Sequence, residues 1–125
     1  MTKKRRDTFN YAQQVELQKY SLLVAVGGDG SYHEVVNGML SRKDKFKLPI
    51  GMIPNGSGNN TCRNLGVFSL DEALKYIVLG QVVALDTIRC LIDHNNVEEM
   101  ENYDEEDQLK YCVHMLNQST LGFPP

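Results

Sequence analysis

Long apolar runs are missing from this 125-residue chain, and none approaches the ~18–20 residues that a transmembrane helix needs. Any membrane contact is therefore expected to be peripheral. Cysteine is scarce as well: Cys62, Cys90 and Cys112 are odd in number and lack metal spacing, which argues against a disulfide scaffold or a zinc ribbon. The basic N-terminus is not followed by the apolar stretch of a secretory signal, so a reducing, cytoplasmic compartment is expected. There is no internal repeat. Net charge is only −3, and much of it is local, because seven acids lie between Glu98 and Asp107. Setting those seven aside turns −3 into +4, so the rest of the chain is mildly basic, as suits an anionic ligand. The acidic run itself reads as a solvated loop.

What is present is enough for one domain of ordinary size, with 42% hydrophobic residues for a core and 23% charged residues, too few for wholesale disorder. A helical stretch is expected from Asp7 or Thr8, with Phe9, Ala12 and Val15 at three-residue steps. Leu22 to Val26 is short, continuous and apolar, and reads as a buried strand running into Gly27-Gly28-Asp29-Gly30. Ser31 and Glu34 have the spacing of a capping box, and Tyr32, Val35, Val36, Met39 and Leu40 mark one face of the helix that follows. Leu48 to Ile53 reads as a second buried strand ending at Pro54. The loop Asn55-Gly56-Ser57-Gly58 then leads into a short helix around 59–65, stopped by Gly66. Ser69 and Glu72 repeat the capping box. Leu70, Ala73, Leu74, Ile77 and Val78 repeat the helical face, and Gly80 ends it. Beyond it, residues 82–92 and 109–118 read as two strands of a β-hairpin around the acidic loop. The order predicts an α/β fold with a parallel sheet over residues 1–81, and a hairpin over 82–125 that opens a second unit.

Twice, then, a buried strand ends in glycines that open a helix. Glycine lets the backbone approach an anion, and the unpaired N–H groups and dipole of a helix start favour negative charge. Two such loops on neighbouring strands would meet at the carboxyl edge of the sheet, where open α/β sheets bind ligands. Neither loop is a Walker A or a Gly-x-Gly-x-x-Gly fingerprint. Asp29 is out of place electrostatically among phosphate-binding glycines. It is either a proton acceptor for an attacking hydroxyl, a holder of Mg²⁺, or a turn aspartate bonded to its own backbone. Ser57 is a turn residue or a hydroxyl donor to phosphate. Arg63 either stabilises phosphate charge or sits in solvent. His33 is expected to be exposed, and Lys3, Lys4, Arg5 and Arg6 to form a solvated terminus able to attract acidic lipid or ATP phosphate.

The stretch Val24-Ala-Val-Gly-Gly-Asp-Gly-Ser31 with His33-Glu-Val-Val-Asn-Gly38, then Ile53-Pro-Asn-Gly-Ser-Gly-Asn59 and Arg63-Asn-Leu-Gly66, resembles the catalytic domain shared by diacylglycerol, sphingosine, ceramide and bacterial lipid kinases. Asp86 and Asn117-x-Ser-x-x-Gly-Phe123 also have counterparts in that family. The resemblance implies an ATP-dependent lipid kinase with an NAD kinase/diacylglycerol kinase-like nucleotide-binding fold, using ATP and Mg²⁺ on a lipid alcohol. It implies ATP contacts at Gly27, Gly28, Gly30, Ser31, Glu34, Asn55, Gly56, Ser57, Gly58, Asn59 and Arg63, with Asp29 as the catalytic base and no metal ligand assigned among the side chains. Asn60 stands where diacylglycerol kinases usually have aspartate. His33-Glu-Val-Val-Asn-Gly leans toward sphingosine-type members and Arg63-Asn-Leu-Gly toward diacylglycerol-type members, so the lipid stays open. Nucleic acid is not an expected partner.

The family's opening strand with its Asn-Pro-x-(Ser/Ala)-Gly loop precedes the first residues here, with Thr2 near the threonine that follows it. The hairpin is where the family's β-sandwich domain starts. An incomplete nucleotide-binding domain is thus expected, one that alone binds ATP weakly and transfers little phosphate. The rival readings are a non-catalytic nucleotide-binding fragment and a relative of NAD kinase or phosphofructokinase, which share Gly-Gly-Asp-Gly.

Overall fold

The structure, a computed structural model, describes residues 7–91 and 112–115. The expectations for Thr2 and the basic 3–6 cluster, the acidic loop at 98–107, the outer parts of the second hairpin strand and Asn117–Phe123 lie outside the described residues. Two compact units are present, one up to Leu85 and one from Asp86.

In the first unit, α1 (Asp7–Gln14) and a 3-10 turn (Leu17–Lys19) precede β1 (Leu23–Gly27). Then come α2 (Asp29–Leu40), β2 (Ile50–Pro54), α3 (Asn60–Asn64) and α4 (Leu70–Leu79). β1 and β2 pair in parallel, with Leu23 opposite Ile50 and Gly27 opposite Pro54. The expected parallel α/β arrangement is therefore present. Helices pack on this two-stranded sheet: α2 against β1, while Ile77 of α4 lies over Gly51 of β2, 3.2 Å from where a Cβ there would stand.

The core is built from Ala12, Leu17, Ala25, Tyr32, Val35, Met39, Cys62 and Ala73. α1 and α2 cross closely because position 38 is glycine. A Cβ there would run into the Phe9 carbonyl oxygen and stand 2.9 Å from the Ala12 Cβ. Arg42, 6% exposed, then fixes the end of α1. Its Nη1 donates to the carbonyls of Ala12 (3.0 Å), Gln13 (2.9 Å) and Val15 (2.9 Å), the orphan acceptors of a helix C-terminus. Asp44 holds the rest of the guanidinium in a bidentate pair at 2.9 and 2.6 Å.

Two features differ from the sequence expectation. The Ser31–Glu34 capping box does not form. α2 starts three residues earlier than a Ser31 cap implies, at Asp29, with Gly28 as a cap that offers no side chain. The Gly28 carbonyl accepts from the amides of Ser31 (3.0 Å) and Tyr32 (3.2 Å), so the first turn is closed before Ser31 could cap it. The buried face of α4 is also narrower than its pattern. Ala73 is buried and Ile77 half-buried, whereas Leu70, Leu74 and Val78 are exposed, because the contact of α4 with the sheet runs along β2. On α2, Tyr32, Val35 and Met39 are buried as the periodicity implies, and Asn37 and Gly38 join them where α1 crosses.

Other signals hold. Ser69 and Glu72 form the reciprocal capping box, with Glu72 N to Ser69 Oγ at 3.2 Å and Ser69 N to Glu72 Oε2 at 3.1 Å. Gly66 and Gly80 stop α3 and α4 in left-handed backbone, at φ 75° and 63°. In the second unit, β3 (Ile88–Leu91) and β4 (Cys112–Met115) pair antiparallel, with Ile88 opposite Met115. Residues 82–87 of the expected 82–92 lie outside β3, and of the expected 109–118 only 112–115 are among the described residues.

Candidate functional site

Because Gly27 pairs with Pro54 in a parallel ladder, both chains leave the sheet at the same carboxyl edge. The ladder continues one step, with the Asn55 amide donating to the Gly27 carbonyl at 2.9 Å. The two glycine loops then touch backbone to backbone. A Cβ on Gly28 would stand 3.0 Å from the Gly56 Cα, and one on Gly56 would collide with the Gly28 Cα. Only glycine at both positions allows this approach.

The second loop is tied by its own asparagine. Asn59 adopts left-handed backbone at φ 54°, a conformation asparagine tolerates better than most residues. Its Oδ1 accepts from Gly56 N at 2.9 Å and its Nδ2 donates to the Gly56 carbonyl at 2.7 Å. Having spent its side chain on Gly56, Asn59 does not cap α3.

Asp29 supplies that cap from the other loop. Its Oδ1 accepts from the Thr61 amide (2.8 Å) and the Thr61 hydroxyl (2.9 Å), and its Oδ2 from the Asn60 amide (3.0 Å). The Thr61 amide bond, chiefly, holds the Asp29 carboxyl below the ordinary aspartate range, against a smaller opposing effect of burial. Asp29 thus stays ionised and is a weak proton acceptor in this arrangement. The expectation that both helix starts face a bound anion is corrected here: the first amides of α3 already face a carboxylate. The reading of Asp29 as a turn residue satisfied within its own loop is incomplete for the same reason.

Below the loops, Tyr32 and Cys62 are fully buried, and the Cys62 thiol donates to Tyr32 Oη at 3.2 Å. Burial, first, raises the pKa of both groups, so each stays protonated and the thiol is no nucleophile. They form an inert floor that joins α2 to α3.

The structure therefore brings together Gly27, Gly28, Asp29, Gly30 and Ser31 with Asn55, Gly56, Ser57, Gly58 and Asn59. Ser31 folds back against Gly27, where a Cβ would strike its hydroxyl. Asn55, Gly56 and Ser57 are exposed, and Gly58 lies beside Asp29, with 3.2 Å from a Cβ there to Oδ2. Glu34 is half-buried a turn further along α2, and Arg63 is exposed in the last turn of α3. His33 is half-buried rather than exposed, its carbonyl accepting from Asn37 Nδ2 at 2.9 Å. Sequence reasoning passed over Thr61, whose amide and hydroxyl both serve Asp29. The available signal was a hydroxyl residue in the first turn of a helix whose asparagine cap follows a glycine loop. At this edge Asn55, Gly56 and Ser57 are exposed, as contact with an ATP phosphate chain requires. Asp29 Oδ1 accepts two bonds and Oδ2 one, and among the described residues no three His, Cys, Asp or Glu side chains cluster as cation ligands.

The chain is similar over 62 residues to the sphingoid long chain base kinase 4 of Schizosaccharomyces pombe, at 42% identity, covering 47% of this chain and 14% of that protein. It is 35% identical over 82 residues to the mitochondrial acylglycerol kinase of Xenopus laevis, covering 58% of this chain and 19% of the relative. The crystal structure of a diacylglycerol kinase from Bacillus anthracis str. Sterne superposes with a TM-score of 0.57 at 34% identity, over 69% of this chain and 29% of that one. This chain thus spans under a third of the length of each of these relatives. The model of the diacylglycerol kinase catalytic domain matches residues 1–90, which is most of the chain and includes both glycine loops, and the chain accordingly belongs to the diacylglycerol kinase catalytic domain family.

Proposed function

We propose that this chain provides the phosphate-gripping edge of an ATP-dependent lipid kinase, transferring the γ-phosphate of ATP to the hydroxyl of a sphingoid-base or acylglycerol-type lipid. The observation that carries the reading is the backbone contact between Gly28 and Gly56 at the carboxyl edge of parallel strands. That edge places the start of the 12-residue α2 beside the Gly56-Ser57-Gly58 turn, so N–H groups and a helix dipole can meet one phosphate chain. Ser57, exposed on the turn, is a hydroxyl donor to that chain, and Arg63 and Glu34 are outer nucleotide contacts. In the reaction the lipid hydroxyl oxygen forms a bond to the γ-phosphorus while the bond to the bridging β-phosphate oxygen breaks. ADP leaves with that electron pair, and the hydroxyl proton passes to a base. Positioning and charge stabilisation dominate such transfers, which is what a backbone cradle supplies. Magnesium is expected with ATP, and no side chain of this chain is assigned to it.

A lipid alcohol is met at a membrane surface, so a cytoplasmic protein with peripheral contact belongs to the proposal. No helix among the described residues is long and apolar enough to cross a membrane. The names of the relatives favour lipid over NAD or sugar phosphates, so the NAD kinase and phosphofructokinase readings are not favoured.

A chimera tests the proposal, because this chain spans 14% of the fission-yeast kinase. Its matched segment replaces the corresponding one there, and transfer of labelled γ-phosphate is measured on sphingosine, diacylglycerol and monoacylglycerol. Activity that survives the exchange and is lost with Gly56→Ala is expected. A folded chimera that binds ATP but labels no lipid would contradict the proposal.

A further inference from the structure

We infer that Thr61 is a positioning residue, whose amide and hydroxyl hold Asp29 Oδ1 from the buried side so that Oδ2 is the oxygen turned to the incoming lipid hydroxyl. The inference rests on the lipid kinase reading, with Asp29 as the base of that reaction.

Three observations converge. Thr61 is 6% exposed and donates twice to one oxygen, from its amide at 2.8 Å and its hydroxyl at 2.9 Å. Oδ2 lies on the open side: it accepts one bond, from the amide of the exposed Asn60 at 3.0 Å, and keeps a lone pair free. A Cβ on Gly58 would stand 3.2 Å from Oδ2, so glycine in the phosphate-gripping turn leaves room beside that oxygen. The torsion that sets a carboxylate plane is broad and roughly two-fold, and one donor on each oxygen would leave the plane loosely set. The second donor from Thr61 removes that freedom. In phosphate transfer the proton leaves once the new O–P bond has made the hydroxyl oxygen acidic, so an ionised carboxylate of low basicity accepts it on Oδ2. The O–H electron pair stays on the lipid oxygen, and ADP carries off the pair of the broken bridge. Where the free lone pair points then matters more than how basic it is.

Thr61→Val removes the hydroxyl at nearly constant volume and leaves both amide bonds to Asp29 in place. Thr61→Ser keeps the hydroxyl and loses a methyl. The carbon-13 carboxyl signal of Asp29, followed through acid titration of this chain, should titrate at higher pH in Thr61→Val, because a donor to the ionised form is lost. Thr61→Ser should match the unaltered chain. Tyr32 of α2 and Cys62 of α3 feel the Asp29 charge, but burial, first, raises both, so they stay protonated across that range. The turn 55–60 holds no titratable residue, and Arg63 lies exposed in the last turn of α3. In the fission-yeast chimera, kcat of Thr61→Val should fall by about tenfold, the worth of one bond to a charged group. The acidic limb of its pH–rate profile should move to higher pH, while the KM for ATP holds, since the contact of Gly28 with Gly56 is untouched. Thr61→Ser should restore kcat.

A hydroxyl that tuned basicity alone would give a different plateau. Thr61→Val, holding the stronger base, would then match or exceed the unaltered chimera above its acidic limb, and that result would overturn the inference. So would a carboxyl titration that Thr61→Val leaves in place. A Thr61→Ser chimera as slow as Thr61→Val would also overturn it, since a hydroxyl present in one and absent in the other would not be setting the rate. A folded chimera with Thr61 intact that labels no lipid refutes the lipid kinase reading and takes the inference with it. An active chimera indifferent to Thr61→Val refutes the inference alone.

Discussion

A single methyl group at Gly56 should separate the two loops. A Cβ on Gly28 would stand 3.0 Å from the Gly56 Cα, and the reciprocal placement on Gly56 is closer still, with Gly28 N at 3.0 Å and Asn59 Oδ1 at 2.9 Å. Carbon–carbon contacts settle near ~3.5–4.0 Å, so relief requires the backbones to part by about 1 Å. The Gly28 atoms are backbone and cannot swing away, and Asn59 Oδ1 is a side-chain end held by the two bonds of its amide to Gly56. Overpacking of this kind costs about 1–3 kcal/mol. At about 4–8 °C per kcal/mol for a domain of this size, Gly56→Ala should lower the melting temperature by about 4–24 °C. Gly28→Ala should do less, and Gly30→Ala is the control, because nothing lies within 4 Å of a Cβ there and the site is inside α2. Alanine in a helix gains about 0.5–1 kcal/mol over glycine, so Gly30→Ala should be neutral or stabilising. Thermal denaturation by circular dichroism reads the order. Equal stability of Gly56→Ala and wild type would refute the close approach of the loops.

Arg42→Ala should cost about 2–4 kcal/mol in urea denaturation, since three carbonyls at the end of α1 lose their shared donor, whereas Asp44→Asn, at a more exposed partner, should cost far less. Gly38→Ala should destabilise by about 1–3 kcal/mol by prising α1 off α2, readable as a lower urea midpoint with an unchanged m-value. Ser69→Ala should cost about 1 kcal/mol through loss of the α4 capping box, with the same assay as the check. Asp29 and Asp44 have folded pKa values below their unfolded ones, so their contribution is fully present above the ordinary aspartate pKa and is lost as pH falls through the lowered values. Stability should therefore fall in acid, below about pH 4, and Asp29→Asn should flatten that fall; an acid limb identical in the variant would contradict the sign.

The parallel core and the meeting of the loops were legible in the sequence for a simple reason. Parallel strands such as Leu23–Gly27 and Ile50–Pro54 are continuous apolar runs, and each ends in glycine or proline, although the expected burial holds only at Ala25 and Gly51 while Val24 and Val26 are exposed. Where the cap lies was not legible. Ser31 and Glu34 have the spacing of a capping box, but spacing cannot show that the Gly28 carbonyl closes the first turn three residues earlier. Nor could it show that Asn59 would turn to Gly56 and leave α3 to a carboxylate more than thirty residues away. Helix caps are usually local in sequence, and this one is tertiary. Arg42 was hidden likewise, since a charged residue after a helix reads as solvated until three carbonyls are found to converge on it. The periodicity of α4 overstated its burial because a pattern reports which face is apolar and not how wide the neighbour is: Val78 fits the stripe and is 83% exposed.

The central claim is that one phosphate chain is gripped where the two glycine loops touch. Amide chemical shifts of the isotope-labelled chain, followed while ATP is added and again with adenosine, test it most directly. The account predicts saturable shifts at Gly28–Ser31 and Gly56–Gly58 with ATP, small ones with adenosine, and the ATP response weakened in Gly56→Ala. Shifts confined to other surfaces, or equal for ATP and adenosine, would contradict it.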